Sequence, residues 1–510
     1  MPEMHILPIV ALFVLSLVQC ASADPRPEFA LAVSVSGTSR VSLAASGATD
    51  AVAEINVAVQ NYLIQSELQL LPDVAEIMAN IANQFQTLGA AAVSAISALA
   101  SDASGDIAGV FGVALDAVNA AIDFADDTLP GLRDPLVTLV GTALSDKLLD
   151  SFQHLGKGLQ ALLVSLTTLK SGAETAVAEA GSSNVPVNIV SRNLPRARVT
   201  ELISALHLLK GTVPLLEYVV TSTMENIGLA DDFMLQLDDK VDSIIGESST
   251  LLLELNDFLD PLENTILNTL SSIGGELTNL VAEFGGLSNV ATVSDAAALG
   301  TTLGDFKANL EDLATADPTI SSVLDQLNVA FTDAYDIVDP LYYIYDSALV
   351  DALMTTLVAN GNYAQYCFYK YKDFFFVLLD LIALEASECI AEEAERMEYY
   401  QRTVELMLTI LFYDFVDISD DLAICERIDD ADNLQECIAK FVSIYTDLEA
   451  AFGDKLTLLY QSLQHEIAAS GNRLKICIRF SQSELSDTQV PLLLAKINEC
   501  AMLGPYAEDD

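Results

Sequence analysis

Positive charge is scarce in this chain. Its 510 residues hold 23 Lys and Arg against 73 Asp and Glu, a formal net charge of −50. A nucleic-acid partner needs Lys and Arg to neutralise its phosphates, so that class is excluded. Anionic membrane surfaces are disfavoured on the same ground. Histidine is scarcer still, at four. His154, His207 and His465 stand apart, each inside a helical pattern, and "HEIAA" at His465 lacks the second histidine of a zinc-protease helix. There is no Gly-x-Ser-x-Gly elbow and no phosphate-binding loop. "GKGLQA", Gly156 to Ala161, is a loose dinucleotide fingerprint with no strand before it. The sequence thus offers no catalytic constellation and implies no cofactor, and the chain reads as non-enzymatic. It also has no Asn-x-Ser/Thr site, so N-glycosylation through that sequon is not expected.

Charge of either sign is thin, at 19% of residues, below the usual quarter or so. The surface must draw on Ser, Thr, Asn, Gln and Ala, or leave apolar area exposed. Sustained two-residue alternation is missing as well, which excludes a sheet. What the chain has is helical periodicity. "MANIANQFQTLGAAAVSAISALAS", Met78 to Ser101, carries no charge, yet Ile77, Ile81, Phe85, Leu88, Ala92, Ile96 and Leu99 recur on one helical face. Asn80, Asn83, Gln84, Gln86, Thr87, Ser94 and Ser97 occupy the other. Lipid does not tolerate polar groups along one side, so the segment is expected in a soluble bundle rather than in a membrane. Phe258/Leu259, Leu262, Ile266, Leu270, Ile273, Leu277, Leu280 and Phe284 repeat the pattern at the spacing of antiparallel packing. Asp134-Pro135, Asp260-Pro261, Asp317-Pro318 and Asp339-Pro340 read as helix starts, with Asp capping and Pro in the first turn. Gly105, Gly181, Gly285-Gly286 and Asn360-Gly361-Asn362 read as stops.

The N-terminus reads as a secretory leader. "ILPIVALFVLSLV", Ile6 to Val18, is an apolar run too short to span a bilayer, and Ala21 to Ala23 suit cleavage before Asp24. Loss of Glu3 brings the net charge from −50 to about −49. No transmembrane segment is expected in the mature chain. Cys367, Cys389, Cys425, Cys437, Cys477 and Cys500 then remain, an even set suited to three disulfides outside the cell. The expected domains are a leader at 1–23, helical bundles at 24–183 and 199–360, a linker at 184–198, and a cysteine-containing helical domain at 361–510. The last holds 19 of the 36 Phe and Tyr.

Local disulfides are expected: Cys425–Cys437, Cys477–Cys500 across a hairpin broken at Pro491, and Cys367–Cys389. A Cys389–Cys477 link would replace that scheme with one joining separate helices. "DDADNLQE", Asp429 to Glu436, offers carboxylates that could hold calcium. It has Gln435 and Phe441 where an EF-hand loop beginning at Asp430 needs Gly and Glu, so a solvated turn is expected. "YKDFFFVLLDLI", Tyr371 to Ile382, is apolar on more than one face. Such a helix is buried or lines a pocket, and Phe374, Phe375, Phe376 and Leu379 are the candidate lining of an apolar-ligand site.

"CFYKYKDFFFVLLDLIALEASECI", "CERIDDADNLQECI" and "CIRFSQSELSDTQVPLLLAKINEC" together resemble the insect secreted domain named after the tsetse EP proteins, over residues 363 to 503. The resemblance rests on cysteine order and spacing, and the Glu-Pro repeat tail is missing. It implies an insect extracellular protein of gut or saliva, linked to host–microbe contact, with no catalytic residue. The absence of any Cys-x-x-x-Cys pair excludes the six-cysteine odorant-binding pattern. The sequence therefore predicts an all-α secreted protein of long antiparallel amphipathic helices with a disulfide-stapled C-terminal domain. Its expected role is interaction with a protein or microbial surface; the alternative is carriage of a fatty acid or sterol between helices.

Overall fold

A computed structural model of the chain describes residues 28–55, 59, 63–182, 184–257, 259–315, 322, 325–326, 329, 347–419 and 422–506. The leader and the Asp317-Pro318 and Asp339-Pro340 signals lie outside those residues. The fold is all-α, with no strand among the described residues and one isolated bridge between Glu28 and Leu31.

The helices are α1 (Thr38–Glu54), α2 (Leu70–Ala100), α3 (Ile107–Asp123), α4 (Leu129–Val140), α5 (Thr142–Ala180), α6 (Val187–Asn193), α7 (Arg196–Asp257), α8 (Leu259–Gly286), α9 (Ala296–Thr315), α10 (Ala348–Val358), α11 (Ala364–Ser419), α12 (Leu422–Cys425), α13 (Ala431–Glu484) and α14 (Val490–Leu503). They belong to two compact units. The first comprises Met1–Gln236, Tyr345–Lys372 and Leu494–Asp510; the second comprises Leu237–Ile344 and Asp373–Leu493. These ranges cut across the boundaries expected from sequence. The expected linker contains α6 and the start of α7, and position 361 is no boundary, because residues 345 to 372 belong to the first unit. Composition changes along the chain, but helices pack by face, and a face ignores sequence order.

In the first unit α2 buries Met78, Ile81, Phe85, Gly89, Ala92, Ile96 and Leu99. The stripe is the expected one, shifted onto Met78 and Gly89 where Ile77 and Leu88 are only half-buried. Asp134-Pro135 does not start a helix, since Pro135 lies inside α4. The chain stays helical from α3 through a π turn at Phe124–Thr128, and Pro130 falls in the first turn of α4. A π turn gives the missing N–H and the bulky ring of proline room that an α turn lacks. Gly158 allows α5 and α7 to meet closely: a Cβ there would stand 3.0 Å from the Cα of Leu209. Gly181 ends α5 in the left-handed region, φ 69°, as expected.

Helix α7 is apolar, but its buried polar groups are satisfied. Asn360, at φ 51°, donates through Nδ2 to Ser222 Oγ (2.7 Å) and Thr223 Oγ1 (3.0 Å). Asn226 Nδ2 donates to the Leu357 carbonyl at 2.9 Å, and Gln365 Nε2 donates to Asn226 Oδ1 at 2.9 Å. Burial lowers the pKa of Lys147 beside Asn360. The buried carboxylate of Asp231 accepts the backbone N–H groups of Gln65 and Ser66.

In the second unit α8 buries Ile266, Leu270, Ile273, Leu277 and Leu280, and α9 packs on both α8 and α13. Leu299, Leu303, Leu434, Ile438 and Tyr445 form an apolar cluster there, closed by Cys425–Cys437. Glu426 accepts the N–H groups of Asn289 and Val290. Its pKa is lowered because these hydrogen bonds outweigh desolvation, which alone would raise it.

All six described cysteines are paired, and Cys425–Cys437 is the pair expected. The other two expected pairs are corrected to Cys367–Cys500 and Cys389–Cys477. Cys367 and Cys389 both lie on α11, which would hold them about 33 Å apart at 1.5 Å per residue, against a disulfide reach of about 7 Å. The hairpin expected at Pro491 does not form. A second π turn, Leu485–Gln489, precedes that proline and the chain remains helical into α14.

Candidate functional site

The two longest helices of the second unit, α11 and α13, run antiparallel. Cys389 bonds Cys477, Glu393 pairs with Arg473 four residues on, and Tyr400 donates its hydroxyl to Ser462 Oγ at 3.0 Å. Numbers rise on α11 as they fall on α13. Ile390, Met397, Val404, Leu408 and Leu411 are buried along α11, and Phe452, Leu456, Leu459, Leu463, Ile467 and Leu474 along α13. Steps of three, four and seven make this a coiled-coil seam. Glu393 is the charged position within it. Burial raises its pKa, but the Arg473 guanidinium outweighs that and the net direction is down.

Beyond Tyr400 the pair opens into a groove of about 300 Å³. Leu408, Leu411, Leu456 and Leu459 are its buried floor; Met407, Ile410 and Leu458 are its walls, with Leu458 63% exposed. The lining has two polar residues, Lys455 and Ser462. Burial raises the pKa of Tyr400 beside Ser462.

The residues predicted from the sequence to hold an apolar ligand lie elsewhere on α11. Phe374 is 52% exposed, Phe375 and Leu379 are buried, Phe376 is intermediate, and none of the four lines this groove. Sequence reasoning missed the groove although "ELMLTILFY", Glu405 to Tyr413, carries the same sign, apolar residues on more than one face. A second groove, of about 890 Å³, lies in the first unit between α5 and α7, where Val164 and Leu208 flank Ala161, Ala197, Thr200 and Ser204.

Asp430 is a helix cap: its Oδ1 accepts the Asn433 N–H at 2.9 Å, just before α13 begins. Glu436 pairs with Lys440 at 2.8 Å. Among the described residues no group of three or more His, Cys, Asp or Glu is arranged to hold a metal ion. His154 lies on α5 beside Asp150, His207 on α7 and His465 on α13. "GKGLQA" is an interior stretch of α5. Two helical stretches, Ile107–Val140 and Arg196–Glu247, are long and apolar enough to cross a membrane by length and composition alone. Three intramolecular disulfides are compatible with an extracellular protein.

The chain matches no family model, no curated protein and no solved structure.

Proposed function

We propose that the chain is a secreted, acidic, non-enzymatic interaction protein of insect gut or saliva. The observation that carries this reading is the outer face of α5 and α7 in the first unit. Val164, Leu208, Leu215 and Tyr218 are exposed there, beside a groove floored by small residues. Close contact at Gly158 holds the two helices together, and a groove between two helices receives an apolar helix of a partner. The leader, the disulfides and the resemblance over residues 363 to 503 support the extracellular setting. Native mass spectrometry of the protein in its natural fluid tests the reading. A stoichiometric protein partner is expected on the wild type and lost from a Leu208→Glu/Tyr218→Glu variant; a wild type that stays unaccompanied, or a variant that keeps its partner, refutes it.

A second reading, carriage of a small apolar ligand, is favoured by the groove between α11 and α13. Its apolar lining is the chemistry such a ligand needs.

A further inference from the structure

We propose that the groove between α5 and α7 receives an amphipathic helix whose polar flanks are acidic. This rests on the interaction reading and names the chemistry of the partner. Ser151 to Ala173 of α5 and Arg196 to Leu216 of α7 hold five of the 23 Lys and Arg but one of the 73 Asp and Glu. These facing segments are net positive in a chain of net charge −50. The two helices run antiparallel, since Gly158 meets Leu209 and Gly172 meets Arg198. Arg196 lines the groove near the level of Gly172. Lys157 stands near the level of Leu209, on the α5 face that Ala161 and Val164 continue at helical spacing. A cation therefore marks each end of the groove.

Both side chains are exposed. No ion pair among the described residues takes up either one, whereas Arg192 is paired with Glu179. Arg196 also stands in the first turn of α7, where the helix dipole adds positive potential. Between the two cations the groove offers Ala161, Ala197, Thr200 and Ser204, with Val164 and Leu208 as exposed apolar flanks. Ala197 to Leu208 spans about 16 Å at 1.5 Å per residue, or three turns of a docked helix. A partner's large apolar side chains fill such a trough, and its flanking carboxylates reach the ends. Glu201 is the one carboxylate in the lining, against two cations. The overall negative field repels an acidic partner at long range, but salt screens it beyond about 8–10 Å, so the local cations decide once the helix docks. A second copy of this chain is the poorer occupant, because a two-fold contact sets this positive face against itself.

The test uses the full-length secreted protein and two fluorescein-labelled helical peptides of about five turns. Both carry the same Leu/Phe stripe; Glu flanks it in one and Lys in the other. Binding is read by fluorescence anisotropy. A chain of net charge −50 attracts the Lys peptide through its overall field, so a preference for the Glu peptide has to come from the groove. Wild type is expected to bind the Glu peptide more tightly, and to lose affinity for it as salt rises. Lys157→Gln/Arg196→Gln is expected to weaken the Glu peptide about fivefold, the scale of two exposed ion pairs. Ser204→Trp fills the exposed floor, so the fold should hold by circular dichroism while the Glu peptide is lost. Lys440→Gln, in the second unit, should change nothing. Equal or tighter binding of the Lys peptide, or no binding of either, overturns the acidic partner and leaves the interaction reading to its own test by native mass spectrometry. Affinity for the Glu peptide that rises with salt overturns the role of the two cations. Binding that survives Ser204→Trp overturns the site. Wild-type dimers in sedimentation that Ser204→Trp dissociates make a second copy the occupant and overturn the inference.

Discussion

Arg473 grips Glu393 with two nitrogens: Nη2 lies 2.6 Å from Oε1 and Nε 3.1 Å from Oε2. The Glu393 side chain is 2% exposed and that of Arg473 is 35%. The pair sits one turn from the Cys389–Cys477 bond, so covalent and ionic contacts pin the same two helices in one register.

Arg473→Met would leave Glu393 buried without its main partner. Breaking a buried pair costs about 3–5 kcal/mol, and the partial exposure of Arg473 lowers the expectation to about 2–3. Glu393→Leu/Arg473→Met should recover most of that loss, because no buried charge remains. Urea melts of the two variants decide: a double variant less stable than the single one contradicts this account.

The same carboxylate makes stability depend on acid. A folded pKa below the unfolded one adds stability that is complete above the unfolded value, about 4.3 for Glu. That stability is lost as pH falls through the depressed folded pKa. The stability gap between wild type and Glu393→Gln should therefore be constant from pH 7 to about 5 and narrow below about 4. A gap that widens toward low pH would mean that Glu393 is not held ionised.

Disulfide loops differ in length. Cys367–Cys500 spans 133 residues and Cys425–Cys437 spans 12. Closing entropy gives about 5 kcal/mol for the longer loop and about 3 for the shorter. Replacing Cys367 and Cys500 by Ser should destabilise more than replacing Cys425 and Cys437. Peptide mapping without reduction should recover Cys367–Cys500 and Cys389–Cys477; a Cys367–Cys389 peptide would disprove the connectivity.

Asn360 combines a left-handed backbone with four hydrogen-bonding neighbours, Ser222, Thr223, Asn226 and Lys147. Asn360→Gly keeps the backbone and loses the side chain, an expected cost of about 1–3 kcal/mol. Asn360→Ala adds the left-handed penalty of about 1–2 kcal/mol. Thermal melts should order wild type above Gly above Ala, and equal Gly and Ala variants would remove the conformational part of the argument.

Much of the architecture was legible because helical periodicity is a local property. The α2 stripe at Ile81, Phe85, Ala92, Ile96 and Leu99 and the α8 stripe from Ile266 to Leu280 are buried as the spacing predicts. The stops at Gly181 and Asn360 also hold, since a positive φ favours few residue types. The proline signals misled at Pro135 and Pro491. Proline was read as a start or a break, whereas each proline lies within continuing helix, and π turns precede Pro130 and Pro491. The candidate ligand residues Phe374, Phe375, Phe376 and Leu379 lie outside the groove between α11 and α13. "YKDFFFVLLDLI" and "ELMLTILFY" carry the same apolar signature, and only the distance between two helices tells a filled seam from an open trough.

The sequence by itself determined the helical class, the buried stripes of α2 and α8, the acidity and the clustering of six cysteines in the last third of the chain. All of these follow from contacts within a few residues or from composition. Tertiary structure decided which cysteines meet, how residues separated by 88 or 133 positions pair, and which segments share a unit. A straight helix carries its two ends far apart, and antiparallel packing then brings each turn against a partner whose distance along the chain leaves no periodic trace.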